Sequence, residues 1–111
     1  MEPEMTIEEL KVLMASNQPV TLLDVRKKQD RSALPLQIPE ASWKDPEAVS
    51  DWASELPGHT PVVAYCKRGG PVSRSVVNAL AREGLQAVVL TGGIQAWQDA
   101  ALPLENIKGE L

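Results

Sequence analysis

Pro61-Val62-Val63-Ala64-Tyr65-Cys66-Lys67-Arg68-Gly69-Gly70-Pro71-Val72-Ser73-Arg74-Ser75-Val76-Val77-Asn78-Ala79-Leu80 is the stretch around which the chain is organised. Val62 to Tyr65 form a short apolar run, as in a strand buried on both faces. The residues after it read as a tight loop. A helix from Ser73 to Arg82 should follow, burying Val76, Val77 and Leu80, with Ser73 suited to the N-cap. The only cysteine, Cys66, is the first residue after the strand.

That placement has chemical consequences. A thiolate is the nucleophilic form of cysteine, and a free thiol has a pKa of ~8.5. Unsatisfied N–H groups at a helix N-terminus carry partial positive charge, and successive loop amides make an anion-binding nest. Gly69 and Gly70 permit the curl; Lys67, Arg68 and Arg74 add cationic charge. The arrangement should favour the thiolate and suits holding an anion or carrying a sulfur atom. The plain alternative is a small buried hydrophobe beside an ordinary Gly-Gly turn. Nucleotide phosphate binding is disfavoured, because neither G-x-x-x-x-G-K-[ST] nor G-x-G-x-x-G occurs.

Upstream, Thr6-Ile7-Glu8-Glu9 is a capping box, with Met5 and Leu10 at the staple positions. The helix from Ile7 to Met14 presents Ile7, Leu10, Leu13 and Met14 on one face. Met1 to Glu4 should be frayed. Val20 to Val25 reads as a second strand covered on both faces. Asp24, near its carboxyl end, and Arg26 lie where open α/β sheets bind ligands; a local turn and ion pair is the other use for Asp24. Arg26 to Glu40 should be a helical turn and then a surface loop. Ala41-Ser42-Trp43 suggests a very short edge strand. Asp45 as N-cap and Pro46 at N1 should start a helix, ended by Pro57-Gly58. His59, the only histidine, precedes the central strand at the end opposite Cys66, which argues against a Cys–His pair.

Downstream, Gly84 closes the central helix as C′. Ala87 to Leu90 is a third strand. Thr91-Gly92-Gly93 turns into a short helix, Ile94 to Trp97, and should lie beside the Cys66 loop, chiefly for close backbone packing. Leu102-Pro103-Leu104 packs back ahead of a polar tail. Strands alternating with helices argue for a parallel α/β sheet.

At 111 residues, one domain over 1–111 is expected, with its core at about 5–104. The net charge of −4 disfavours a general nucleic-acid binder. Basic residues gather at Arg26, Lys27, Lys28 and Arg31, and at Lys67, Arg68 and Arg74. If those clusters meet, they form a cationic mouth. A single cysteine excludes an internal disulfide and a resolving-cysteine cycle within one chain. No metal-ligand spacing, signal segment or membrane span is evident, so the expected setting is cytoplasmic and soluble.

Leu23-Asp24-Val25-Arg26, Val63-Ala64-Tyr65-Cys66 with its loop, and Leu90-Thr91-Gly92-Gly93-Ile94-Gln95-Ala96-Trp97 together resemble a single-domain rhodanese (sulfurtransferase). Met5 to Leu10 resembles the usual start of that domain. The resemblance implies a three-layer α/β fold, with a small, mostly parallel sheet of about 4–5 strands flanked by helices on both faces. It implies that Cys66 is the catalytic nucleophile, taking sulfur from a small anionic donor such as thiosulfate. The sulfur would be held as a persulfide and passed to cyanide, a thiol or a protein acceptor, with no cofactor and no metal. Lys67, Arg68, Gly69, Gly70, Pro71, Val72, Ser73 and Arg74 would form the substrate and persulfide loop, with Arg68 and Arg74 on the donor anion. Asp24 and Arg26 would orient that loop from behind.

Two departures stand out. Pro71 occupies the position where most such loops carry an arginine, and matching the helices through Val77 and Leu80 makes the loop about two residues longer. It resembles a subgroup reading C-x-x-G-x-x-V-S. Leu36-Gln37-Ile38-Pro39-Glu40-Ala41 replaces the usual Gly-His-Ile-Pro-Gly-Ala. Two other functions compete: a non-enzymatic binding or sulfur-relay module, and a phosphatase or arsenate reductase. The latter needs an arginine where this chain has Val72.

Overall fold

The computed structural model describes residues 3–107. The frayed start expected for Met1 and Glu2 and the polar tail at 108–111 lie outside the described residues. The main sheet has five strands, all parallel: β1 (Glu4–Met5), β6 (Ala87–Leu90), β5 (Val62–Tyr65), β2 (Thr21–Asp24) and β4 (Ser42–Trp43), in that spatial order. The expected three-layer α/β fold with its parallel sheet is therefore observed.

The central strands β2, β5 and β6 are apolar on both faces because helices cover both. On one face α1 (Ile7–Ala15) and α5 (Gly93–Asp99) bury Leu10, Ile94 and Trp97 against Leu22, Val63, Tyr65 and Leu90. On the other, α3 (Val49–Trp52), the short 3-10 turn Ala53–Glu55 and α4 (Pro71–Arg82) pack Trp52, Val76, Val77 and Leu80 on Leu23, Val62, Ala64 and Val89. Successive side chains of a strand point to opposite faces, so Leu22 and Leu23 serve different halves of the core. Full burial of each such side chain contributes about 1.5–3 kcal/mol.

The capping box forms as read: the Thr6 hydroxyl accepts from the Glu9 N–H, and Glu9 accepts from the Thr6 N–H. Gly84, at φ +82°, follows the α4 C-cap.

Several elements differ from expectation. Glu4 is not frayed, because β1 completes the free edge of β6. The helix expected from Asp45 starts at Val49; the Asp45 carboxylate instead accepts from the Glu47 N–H in a turn. The span 26–40 is not all surface. After α2 (Lys28–Ala33), Leu36–Gln37 form β3, which pairs antiparallel with β7 (Glu105–Asn106), a strand also absent from the sequence reading. Gln37 and Ile38 are buried. The Gln37 amide, where the family pattern has histidine, donates to the Ala41 carbonyl and the Glu105 carboxylate.

Finally, α4 begins at Pro71 rather than Ser73. Proline at N1 forgoes an N–H that would have no partner in the helix. Pro71 and Val72, read as loop, are thus the first residues of the helix, and Ser73 lies inside it rather than capping it.

Candidate active site

Parallel strands place all their carboxyl ends on one side of the sheet, and three turns meet there. Cys66 leaves β5, the central strand, with its side chain buried. Its Sγ lies 3.1 Å from the Oγ of Ser73, which is itself fully buried. The helix N-terminus has no side-chain cap, because its N-cap is Gly70. Among the described residues, none accepts from the N–H groups of Lys67, Arg68, Gly69, Gly70, Val72 or Ser73. A cavity of about 190 Å³ opens at the thiol, lined by Lys27, Asp30, Lys67, Arg68, Gly70, Pro71 and Val72 as well as Cys66.

The loop is held from behind by backbone. The Ile94 N–H donates to the Cys66 carbonyl and the Gln95 N–H to the Lys67 carbonyl, both at 3.0 Å. Gly93, at φ +61°, sits so close that an added Cβ would collide with the Cys66 and Lys67 carbonyl groups. Gly69, at φ +73°, meets Gly92 in the same way, its Cβ position 2.9 Å from the Gly92 nitrogen. The close packing expected of Thr91-Gly92-Gly93 is therefore present.

Asp24 and Arg26 form a fully buried ion pair. The Arg26 guanidinium donates to both Asp24 oxygens and to the carbonyls of Leu34 and Leu36. They thereby fasten the α2–β3 turn to β2. Their link to the thiol runs through Tyr65, the residue before it. The Tyr65 hydroxyl accepts from the Ile38 N–H and lies within the field of the Asp24 carboxylate. Burial, reinforced by the Asp24 charge, pushes the phenol well above its ordinary pKa.

The two basic clusters meet only in part. Lys27 reaches the thiol cavity beside Lys67 and Arg68. Arg26 is consumed by Asp24, and Arg31 lies over the Trp43 ring at 5.4 Å. Arg74, expected on the donor anion, is not part of the cavity wall. Its Nε donates to the Gly69 carbonyl and its guanidinium pairs with Glu4 at 3.2 Å. The hydrogen bond from Arg74, ahead of one from Thr91, holds the Glu4 carboxyl below its usual pKa. Arg74 thus ties the loop to β1. His59 is exposed in the turn before β5, at the far end of that strand from Cys66. Lys27 is the member of the basic run after β2 that meets the second cluster, as a cationic mouth requires; Asp30 carries no such signal in the sequence.

The comparisons agree with this architecture. A family model described as "Rhodanese-like domain" matches residues 6–100. A solved structure from Staphylococcus saprophyticus is 30% identical, with 93% of this chain and 99% of that one covered and a TM-score of 0.77. A rhodanese-like domain protein from Staphylococcus aureus is 25% identical, with coverage of 96% and 94% and a TM-score of 0.76. A Rhodopseudomonas palustris protein described as a possible tyrosine phosphatase shares the fold at 21% identity, with coverage of 94% and 85% and a TM-score of 0.79. No curated protein matches the chain. No described helix is long and apolar enough to cross a membrane, and no metal-binding cluster occurs among the described residues.

Proposed function

The chain belongs to the rhodanese-like domain family, and from that premise we propose that it is a sulfurtransferase working through a persulfide on Cys66. The observation that carries this reading is the set of N–H groups from Lys67 to Ser73 that have no acceptor, around a thiol opening on a cationic cavity.

In the first half-reaction the Cys66 thiolate attacks the outer sulfur of a donor such as thiosulfate. A bond forms between Sγ and that sulfur. The donor's S–S bond breaks, and sulfite leaves with the electron pair. Lys27, Lys67 and Arg68 draw the anionic donor to the cavity. The loop amides stabilise the terminal sulfur of the persulfide, whose charge would otherwise be desolvated. In the second half-reaction a nucleophile, cyanide or a thiolate, attacks the outer sulfur and Cys66 departs as thiolate. The cycle is covalent and ping-pong. The Ser73 hydroxyl orients Sγ and can donate to it in its anionic form.

A phosphatase or arsenate reductase is not favoured. Val72 stands where an arginine would clamp the oxyanion, and Arg74 is engaged with Gly69 and Glu4.

Intact-protein mass after incubation with thiosulfate tests the proposal, beside a Cys66→Ser control. The expected gain is one sulfur, about 32 Da, absent in the control and discharged by cyanide. No gain with thiosulfate, mercaptopyruvate or a small-molecule persulfide would overturn it in favour of a binding module. Cys66-dependent turnover of an aryl phosphate would overturn it in favour of a phosphatase.

A further inference from the structure

The loop that carries Cys66 is held largely through its carbonyl groups. Those of Cys66, Lys67 and Gly70 accept from the backbone N–H groups of Ile94, Gln95 and Arg74. The Gly69 carbonyl accepts instead from a side chain, the Nε of Arg74 at 3.0 Å. That side chain reaches back from the start of α4, and its guanidinium meets the Glu4 carboxylate at 3.2 Å. The same Glu4 oxygen accepts from the Thr91 hydroxyl at 3.1 Å, and the Thr91 N–H donates to the Met5 carbonyl at 2.8 Å. Glu4 is therefore placed by β1 and by the turn after β6, both outside the loop.

Peptide planarity turns this anchor into an aim. In a trans peptide the carbonyl and the N–H that follows it point in opposite directions, and no cis peptide occurs among the described residues. With the Gly69 carbonyl drawn to Arg74, the Gly70 N–H is turned away from Arg74. Gly70 is also the member of the pair that lines the thiol cavity. No described residue accepts from its N–H. The peptide lies between two glycines, which take positive and negative φ with similar ease. Gly69 already sits at φ +73°, and a Cβ at Gly70 would meet nothing within 4 Å. Reversal of this peptide would carry the Gly69 carbonyl to the thiol side, where its partial negative charge opposes an anionic sulfur.

We propose that Arg74 is a positioning residue that holds the Gly69–Gly70 peptide with the Gly70 N–H facing the sulfur on Cys66, and that Glu4 holds Arg74 in the place from which it does so. This deepens the sulfurtransferase reading and rests on it for the identity of the anion. The number of donors aimed at the terminal sulfur is then set by an ion pair outside the cavity. Strand β1 belongs to the machinery of the site although neither of its residues lines the cavity. A hydrogen bond from a charged group favours one peptide orientation over its reverse by about 10- to 100-fold. The Glu4 pair is partly exposed, and its share is about 2- to 5-fold.

Two measurements on wild type, Arg74→Ala and Glu4→Gln test this. The residual dipolar coupling of the Gly70 N–H, in isotope-labelled protein with a free thiol, reads the direction of that bond and needs no sulfur transfer. In Arg74→Ala it should depart from its wild-type value while the couplings of Val76 to Leu80 in α4 keep theirs. Steady-state transfer from thiosulfate to cyanide should lose about 10- to 100-fold in kcat in Arg74→Ala and about 2- to 5-fold in Glu4→Gln. KM for thiosulfate should change by less than about 2-fold, because the donor binds before the charge on sulfur develops. An unchanged Gly70 coupling in Arg74→Ala would overturn the proposal. So would a raised KM at constant kcat, which would make Arg74 a ligand of the donor. Full kcat in Glu4→Gln would remove Glu4 from the proposal. Should Arg74→Ala fail to fold, Glu4→Gln, a surface change, carries both readings. Absence of sulfur loading in wild type would instead sink the sulfurtransferase reading, and the coupling would still decide whether Arg74 aims the peptide.

Discussion

Replacing Gly93 by alanine should damage both the fold and the chemistry, by an amount that can be separated into parts. Gly93 and Gly84 both hold positive φ, +61° and +82°. A left-handed backbone costs a residue with a Cβ about 1–2 kcal/mol, partly offset by the stiffer unfolded chain. At Gly84 that is the whole cost, because nothing lies within 4 Å of the added methyl. At Gly93 the methyl meets backbone atoms of Cys66 and Lys67, which cannot rotate away as a side chain would. Relief requires α5 and the loop to part, straining the bonds from Ile94 and Gln95 to the two carbonyls. Each is worth about 0.5–1.5 kcal/mol. Gly93→Ala should therefore cost about 1–3 kcal/mol more than Gly84→Ala. Urea unfolding reads this directly. With m near 1 kcal/mol/M, the Gly93→Ala midpoint falls about 1–3 M further. Sulfur loading of Cys66 should slow in Gly93→Ala and not in Gly84→Ala. Coincident midpoints for the two variants would refute the idea that backbone contact from Gly93 sets the loop.

Ser73→Ala removes the hydroxyl 3.1 Å from Sγ; sulfur loading should slow by about 2- to 10-fold, the equivalent of one hydrogen bond, and stopped-flow or timed mass spectrometry measures it. The Tyr65 phenol keeps its proton in the native state to higher pH than in the unfolded chain, whose pKa is about 10. Above that pH the unfolded state binds fewer protons, so stability falls as pH rises. Urea midpoints at pH 9 and 11 should show the fall in wild type, and Tyr65→Phe should lessen it.

The features legible in the sequence were those written locally. Val62 to Tyr65, Ala87 to Leu90 and the Thr6–Glu9 capping box each carry their signal within a few residues, and the structure contains them. Pro71 carried a local signal too. Proline suits the first helical position at Pro46 and at Pro71 alike, yet the chain makes a turn at Pro46 and starts α4 at Pro71. The missed features depend on distant partners. β1 exists because β6 has an edge to fill, and β3 because Glu105 and Asn106 return to it. Arg74 reads as an anion ligand until β1 places Glu4 beside it. Lys27 becomes part of the site only because β2 is the direct neighbour of β5, so that two turns distant in sequence open on one cavity.

The floor and the rim of the thiol site are built from different materials. Behind Cys66, main chain rests on main chain: glycines, carbonyls and amides, with no side chain to exchange. The rim is made of exposed side chains on the turns after β2 and β4, among them Lys27 and Glu47. Substitutions there change the charge and shape of the cavity walls without a contact to the backbone that holds Cys66. Residues 27–30 and 45–47 can therefore be exchanged with the backbone behind Cys66 left in place. The same freedom does not extend to Gly69 or Gly93, where an added Cβ meets the backbone of Gly92 or of Cys66 and Lys67.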